Sequence, residues 1–160
     1  MRRLALLGLL ACLAVPAGAL ALEQGAEDGT LSLDGVTGSV SFAARGAIIG
    51  QIDKGSVTIS DPNPNDGKPP VVWGYERKRD LTDTKFFFSG SGIRFRVVGG
   101  FFRVKVVGSG VDISMVGRGS VSLGPAPALL SAGSFSLNGS QPLPFPDFPL
   151  TFQLDAAVGG

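Results

Sequence analysis

The sequence predicts an all-β fold: a single antiparallel β-sandwich or partly open barrel of about ten short strands, after an N-terminal signal peptide. Composition is the first observation behind this prediction, because 24 Gly, 11 Pro and 11 Phe occur among 160 residues, of which only 17% are charged. Alternation is the second, since short runs of apolar and polar residues, bounded by glycine, follow the two-residue side-chain period of a strand. Beyond residue 21, no long stretch shows the period of a helix.

Residues 1–21 are predicted to be a secretory signal peptide. Two arginines precede an apolar run over residues 4–15, and small residues lead to a cleavage site after Ala21. The apolar run is shorter than the roughly 20 residues of a membrane helix, so no membrane span is predicted. We therefore expect a secreted or extracytoplasmic protein whose mature chain begins at Leu22.

A lipid anchor on Cys12 is the alternative. Residues 9–12, Leu-Leu-Ala-Cys, resemble the lipobox of bacterial lipoproteins, in which the cysteine is lipidated and becomes the first mature residue. The residues after Cys12 stay apolar through Leu22 instead of forming a polar tether, and this favours the signal peptide.

The residue types that are missing exclude much of the usual chemistry of active sites. The sequence contains no histidine, and Cys12, its only cysteine, is lost with the signal peptide. Histidine-based nucleophile systems, most zinc geometries and disulfides are thereby excluded from the mature chain. Two arginines leave as well, so the 14 basic residues fall to 12 against 13 acidic ones, and a net charge of −1 favours no particular partner. We predict a protein that is not an enzyme and needs no cofactor or metal.

The mature chain is predicted to be one domain, with a flexible leading segment at 22–29, the β domain at 30–155 and a tail at 156–160. A pentad of glycine, hydroxyl, apolar, hydroxyl and apolar residues recurs in it. Its copies are GTLSL from Gly29, GSVSF from Gly38, GSVTI from Gly55, GSVSL from Gly119 and GSFSL from Gly133. Their spacing is irregular, whereas a solenoid keeps a fixed period. We interpret each copy as the start of a half-buried strand, with hydroxyls outside and apolar side chains inside.

Residues 93–123 predict a four-stranded antiparallel meander with turns at 99–100, 109–110 and 117–119. All three turns contain glycine, and all three keep the same side chains on one face. The face predicted to be buried, on which Phe95 pairs with Val104, contains Ile93, Phe95, Val97, Phe102, Val104, Val106, Ile113, Met115, Val121 and Leu123.

The opposite face of this meander carries the candidate site. Its members, the candidate residues for binding an anionic polymer, are Arg94, Arg96, Arg103 and Lys105. The predicted register puts two pairs of cations opposite each other, Arg96 with Arg103 and Arg94 with Lys105, and opposed like charges destabilise a sheet. Either nearby carboxylates neutralise these cations, or the cations are left unpaired for a polyanion. The carboxylates available for neutralisation are Glu76, Asp80, Asp83 and Asp112.

Residues 61–70 are predicted to form the one long loop of the chain, because their prolines lack the amide proton that a strand ladder needs. Asp61, Asn63 and Asn65 have the spacing of the first three ligands of a calcium loop. The glycine then comes one place late and a valine stands where a bidentate glutamate is needed, so a rigid surface turn is favoured. Residues 77–80 are predicted to be a charged, solvated connection.

Three blocks of the chain resemble a set of exported bacterial proteins of uncharacterised function. They are RGAIIGQIDKGSVTI from Arg45, the stretch over 93–123, and GSFSLNG from Gly133. The resemblance covers most of the mature chain and implies one recurring β domain. It implies no activity, ligand or functional residue.

Three classes of function stay open, and the first is favoured. It is a non-catalytic envelope or extracellular module, structural or adhesive, with another envelope component as its partner. The second is binding of an anionic polymer, such as wall polymer, glycan, lipid head group or nucleic acid, through the four cations. The third is a glycoside hydrolase with two carboxylates, although the spacing of the candidates brings no pair together. Those candidates are Asp53, Glu76, Asp80 and Asp112.

Overall fold

A computed structural model of the protein describes residues 27–125 and 132–156. The signal peptide predicted at 1–21, the alternative lipid anchor at Cys12, and most of the leading segment and tail lie outside the described residues. The described part contains strands and turns but no helix, so the all-β prediction is confirmed. Within it, accordingly, no helix is long and apolar enough to cross a membrane.

Seven strands of the described chain form one antiparallel sheet. They are β1 (Gly29–Ser60), β2 (Gly67–Trp73), β3 (Arg77–Thr82), β4 (Lys85–Pro125), β5 (Ala132–Leu137), β6 (Leu143–Pro144) and β7 (Leu150–Leu154). Along the sheet the order is β2, β4, β1, β5 and β6, while β3 and β7 also pair with β4. The path begins at β2 and ends at β6, so the sheet is not closed.

The two longest strands, β1 and β4, pair with each other along both of their edges. Val104 of β4 pairs with Phe42 on one side and with Ile59 on the other, and Phe42 in turn pairs with Val104 and Val121. The two β1 partners of Val104 are 17 residues apart. That offset corresponds to about 56 Å of strand at about 3.3 Å per residue. β1 and β4 therefore coil around each other, and each lies between two passages of its partner.

This coil explains why the prediction of about ten short strands is wrong in number and length. The predicted strands between residues 30 and 60 form the single 32-residue β1, and residues 85–125 form the 41-residue β4. Glycine marks bends as well as ends, because a residue without a Cβ lets a strand kink while its hydrogen bonds continue. All strand pairs belong to one sheet, so the division into the two sheets of a sandwich is not confirmed.

The glycine pair at 99–100 is a bulge and not a hairpin turn. Val98 pairs with Ala47 and Phe101 pairs with Arg45, so three steps along β4 match two steps along β1. One extra residue in one strand is the definition of a β-bulge. The two glycines have φ values of 74° and 70°, a conformation that residues with side chains rarely adopt. The predicted meander is wrong at this point because the chain continues in the same direction.

The other two predicted turns, at 109–110 and 117–119, are also continuous strand. The predicted pair of Phe95 with Val104 is therefore wrong, and Phe95 pairs instead with Gly50 of β1 and Val72 of β2. The Phe95 ring occupies the space that a side chain at Gly50 would need.

The predicted faces of this stretch are nevertheless confirmed. All ten apolar side chains predicted to be inside are buried and belong to one core cluster. The pentads behave as predicted too, since their apolar members point inward and their hydroxyls outward. They also pair with one another: GTLSL pairs with GSFSL through Leu33 and Phe135, and GSVSF pairs with GSVSL through Phe42 and Val121.

Two polar segments have structural roles that differ from their predictions. Residues 77–80, predicted to be a solvated connection, belong to β3, which pairs with the first residues of β4. The loop at 61–70 is partly strand, because β2 begins at Gly67. Before that strand, Asp61 accepts a hydrogen bond from the Asn63 N–H at 3.2 Å. Asp66 accepts one from the N–H of Phe101 at 3.2 Å, and thereby caps the backbone next to the bulge.

Candidate anion-binding cleft

Outward-facing side chains form rows across the alternating passages of β1 and β4. A row forms because residues paired across neighbouring strands lie side by side on one face. One row is Lys85, Ser60, Arg103, Ala43, Ser120 and Gln153, and the next is Phe87, Thr58, Lys105, Ser41, Ser122 and Thr151. Both rows cross β4, β1, β4, β1, β4 and β7 in that order. Polar side chains from distant parts of the chain therefore meet on one surface.

A cleft of about 490 Å³ lies over these rows, and we name it the basic cleft. Its polar lining consists of three cations and five hydroxyls, with the exposed Leu81 of β3 at its rim. The cations are Lys85, Arg103 and Lys105, and the hydroxyls are those of Ser41, Thr58, Ser60, Ser120 and Ser122. None of the described lining residues is a carboxylate, so all the charged groups that line the cleft are cations.

The three cations lie close enough to act together on one ligand. Arg103 and Lys105 are two residues apart on the same face of β4, which separates their Cα atoms by about 6.7 Å. Lys85 and Arg103 pair with Ser60 from opposite edges, so their Cα atoms are about 9.6 Å apart at two strand spacings. Long, flexible side chains on such a triangle reach a shared anion without rearrangement of the backbone.

The charges of the basic cleft are not neutralised within the described part of the chain. Salt bridges there join Arg45 to Asp66, Lys78 to Asp80 and Arg118 to Glu27, and none of them involves a cleft cation. The Arg103 guanidinium instead lies 5.3 Å from the centroid of the Phe101 ring, a cation–π contact that leaves its donors free.

The structure divides the four predicted site residues into two pairs. Arg103 and Lys105 line the basic cleft, whereas Arg94 pairs with Gln51 and Trp73, away from that cleft. Arg96 pairs likewise with apolar residues of β1 and β2. The predicted opposition of like charges is therefore wrong, because it required the chain to turn back at the bulge.

One pair of like charges does face each other elsewhere in the sheet. Arg45 of β1 and Arg118 of β4 are cross-strand partners. Each has its own carboxylate, with Asp66 at 3.5 Å from Arg45 and Glu27 beside Arg118. Neutralisation by carboxylates, one of the two explanations that the sequence offered for the four cations, thus occurs at these two arginines instead.

Among the described residues, none of the carboxylates predicted to neutralise the candidate site forms a salt bridge with any of its four cations. Asp80 pairs with Lys78 at 3.0 Å, and the Oδ1 atom of Asp112 accepts a hydrogen bond from the Gly35 N–H at 2.8 Å. No salt bridge of the described residues involves Glu76 or Asp83.

Sequence reasoning missed Lys85 and all five hydroxyls of the basic cleft. A signal for the hydroxyls was present in the pentads, since Ser41, Thr58, Ser120 and Ser122 are pentad members. The pentad sequences do not reveal how β1 and β4 pair, and this pairing brings three of the pentads onto one surface.

In the clefts of the described residues, the structure does not bring together two of the four carboxylates that were considered for glycoside hydrolysis. The basic cleft contains none of the four carboxylates considered for that chemistry. Asp112 lines two smaller clefts, and neither includes a second member of that set, although Asp34 lines one of them. Within the described residues, no group of three or more acidic, histidine or cysteine side chains is placed to hold a metal ion.

A comparison with protein-family models, with curated proteins and with solved structures finds no match for this chain. The resemblance to exported bacterial β proteins therefore stays a prediction.

Proposed function

We propose that the protein is a non-catalytic exported module that binds an anionic polymer in the basic cleft. One observation carries this proposal: within the described residues, three cations that form no salt bridge share a cleft with five hydroxyls and no carboxylate. Cations supply attraction to any polyanion, and hydroxyls donate hydrogen bonds to its oxygen atoms. The broader class, an envelope or extracellular module, is retained, and the cleft supplies its means of attachment.

A polymer suits this surface better than a small anion does. The two polar rows extend over six strand passages, which is about 24 Å at the usual strand spacing. Hydroxyls and amides continue past the cations as far as Thr151 and Gln153 of β7. At this end of the rows, Ser122 and Thr151 share a hydrogen bond of 2.9 Å. An extended chain crossing the strands would contact cations first and neutral polar groups further along.

The test is a titration of the full chain with heparin oligosaccharide, a soluble polyanion, at several salt concentrations. Three contacting cations predict that log K falls linearly with log salt, with a slope of about −2 to −3, because bound counterions are released. Absence of binding at about 20 mM salt, where screening is weak, would contradict the proposal.

Export is proposed on the N-terminal sequence alone, namely two arginines, an apolar run and small residues before Ala21. Mass spectrometry of the protein recovered from its source culture should find Leu22 as the first residue. An intact Met1, or a lipid on Cys12, would contradict cleavage after Ala21.

A further inference from the structure

A second cleft, which we name the tryptophan cleft, lies on the outer face on the other side of the bulge. Part of its lining is one cross-strand row that runs from Trp73 of β2 through Arg94 of β4 and Gln51 of β1 to Asp112 of β4. The other lining residues are mainly apolar, among them Leu33, Ile49 and Ile113. The cleft measures about 240 Å³ and shares no lining residue with the basic cleft.

Trp73 is exposed in a way that packing does not explain. Its side chain is 44% exposed, although tryptophan is usually well buried in a folded domain. Tyr75, two residues later, is similarly exposed but packs against Phe88 at 5.0 Å between ring centroids. No aromatic or cation–π contact of the described residues involves the indole of Trp73. A flat apolar surface is therefore presented to solvent at the edge of a polar row.

The polar side chains beside Trp73 supply both hydrogen-bond donors and hydrogen-bond acceptors, and their formal charges sum to zero. Arg94 has no salt-bridge partner among the described residues, and it donates from a planar guanidinium. Asp112 is held in place by the N–H of Gly35 on its Oδ1 atom, which leaves Oδ2 as an acceptor. Gln51 lies between them and offers an amide that donates and accepts. One cation and one anion cancel, so this cleft is not suited to a polyanion.

We propose that the tryptophan cleft binds one neutral pyranose ring of a saccharide. The C–H face of such a ring is apolar and would stack on the Trp73 indole, while its hydroxyls match the donors and acceptors of Arg94, Gln51 and Asp112. The volume supports a single ring, because pockets for larger, drug-sized ligands measure roughly 300–1,000 Å³. This function is separate from polyanion binding and does not depend on it.

The assay uses the intrinsic fluorescence of the protein, because Trp73 is its only tryptophan. Cellotetraose and tetra-N-acetylchitotetraose are the probes, since both are neutral chains of flat pyranose rings. We expect a saturable change in emission with a millimolar dissociation constant that is the same at about 20 mM and about 200 mM salt, because no net charge is involved.

Two variants test the polar row, and one variant serves as a control. Gln51→Ala and Asp112→Asn should each weaken binding by about three- to tenfold, which corresponds to the loss of one hydrogen bond. Asp112→Asn keeps an oxygen that accepts the hydrogen bond of the Gly35 N–H, so this contact with the backbone is retained. Tyr75→Phe should bind as the wild type does, because Tyr75 does not line the cleft.

Two outcomes would overturn the proposal. One is no change in emission with either oligosaccharide up to about 10 mM, which is several times the millimolar dissociation constant expected for this site. The other is a change that is undiminished in both Gln51→Ala and Asp112→Asn. Loss of heparin binding would leave these results unaffected, so failure of one proposal is distinguishable from failure of the other.

Discussion

Replacement of Gly50 by alanine should destabilise the fold, because Phe95 occupies the space of the missing side chain. A Cβ atom at Gly50 would lie 3.1 Å from Cε2 of Phe95 and closer still to Cε1 and Cζ. The ring cannot move outward, since Phe95 is completely buried and belongs to the core cluster. Relief of the clash must therefore disturb neighbouring core side chains or separate the strands.

The size of the effect follows from two opposing terms. Inserting a methyl group into a packed core typically costs about 1–3 kcal/mol. Restricting the unfolded chain by a change from glycine to alanine returns about 0.4–1 kcal/mol. We expect a net loss of about 1–2 kcal/mol in the free energy of unfolding of Gly50→Ala. At an m-value of about 2 kcal/mol per molar urea, the midpoint would fall by about 0.5–1 M.

Urea unfolding of four proteins measures this effect: the wild type, Gly50→Ala, Phe95→Leu and the double variant. Removal of the ring makes room for the methyl group, so the double variant should be more stable than additivity predicts by about 1 kcal/mol. Gly124→Ala is the matched control, because the nearest atom to its new Cβ is the Ser39 Oγ at 2.8 Å, which is able to rotate away. Its stability should stay within about 0.5 kcal/mol of the wild type. A Gly50→Ala protein as stable as this control would refute the packing of Phe95 on Gly50.

Two further predictions concern the path of the chain and its bulge. Cysteines at Ile49 and Ser114, which are cross-strand partners, should form a disulfide under mild oxidation, whereas cysteines at Arg96 and Arg103 should not, and peptide mapping by mass spectrometry reports which bond forms. A disulfide between positions 96 and 103, with none between 49 and 114, would contradict the bulge and support the hairpin turn predicted at 99–100. Asp66→Ala should cost about 0.5–2 kcal/mol in urea unfolding, because it removes both a backbone cap and a salt bridge. A stability equal to that of the wild type would contradict the role of this carboxylate at the bulge.

The faces of β4 were predictable, but the direction of the chain was not. Val97 and Phe102 are both buried although they are five residues apart, so an uninterrupted strand would put them on opposite faces. A two-residue turn restores the common face, and so does a bulge with one extra residue. Both devices favour a glycine pair with positive φ values, and the sequence around 99–100 fits either. Only the distant partner strand, β1, distinguishes them.

The candidate site was predictable to the extent that it depends on alternation. Arg103 and Lys105 alternate with buried residues, and their exposure follows directly. Their neighbours depend on the 17-residue offset of the coil, which brings Ser41 to one side of Lys105 and Thr58 to the other. Such an offset is a property of the whole sheet and has no local signature in the sequence. The positions of Lys85 and the five hydroxyls in the basic cleft could therefore not be predicted.

The most direct measurement compares two triple variants that lose the same charge. The first, Lys85→Ser with Arg103→Ser and Lys105→Ser, removes the cations of the basic cleft. The second, Lys54→Ser with Lys68→Ser and Arg96→Ser, removes three cations that are exposed and lie outside both that cleft and the two rows.

Heparin oligosaccharide binding at about 20 mM salt is the measurement for both triple variants, with urea unfolding as a check on folding. The cleft variant should lose affinity by about tenfold or more, and its salt slope should fall towards zero, because the contacting cations are gone. The second variant should lose less than about threefold, since only long-range attraction is reduced. Equal losses in the two variants would contradict binding in the basic cleft.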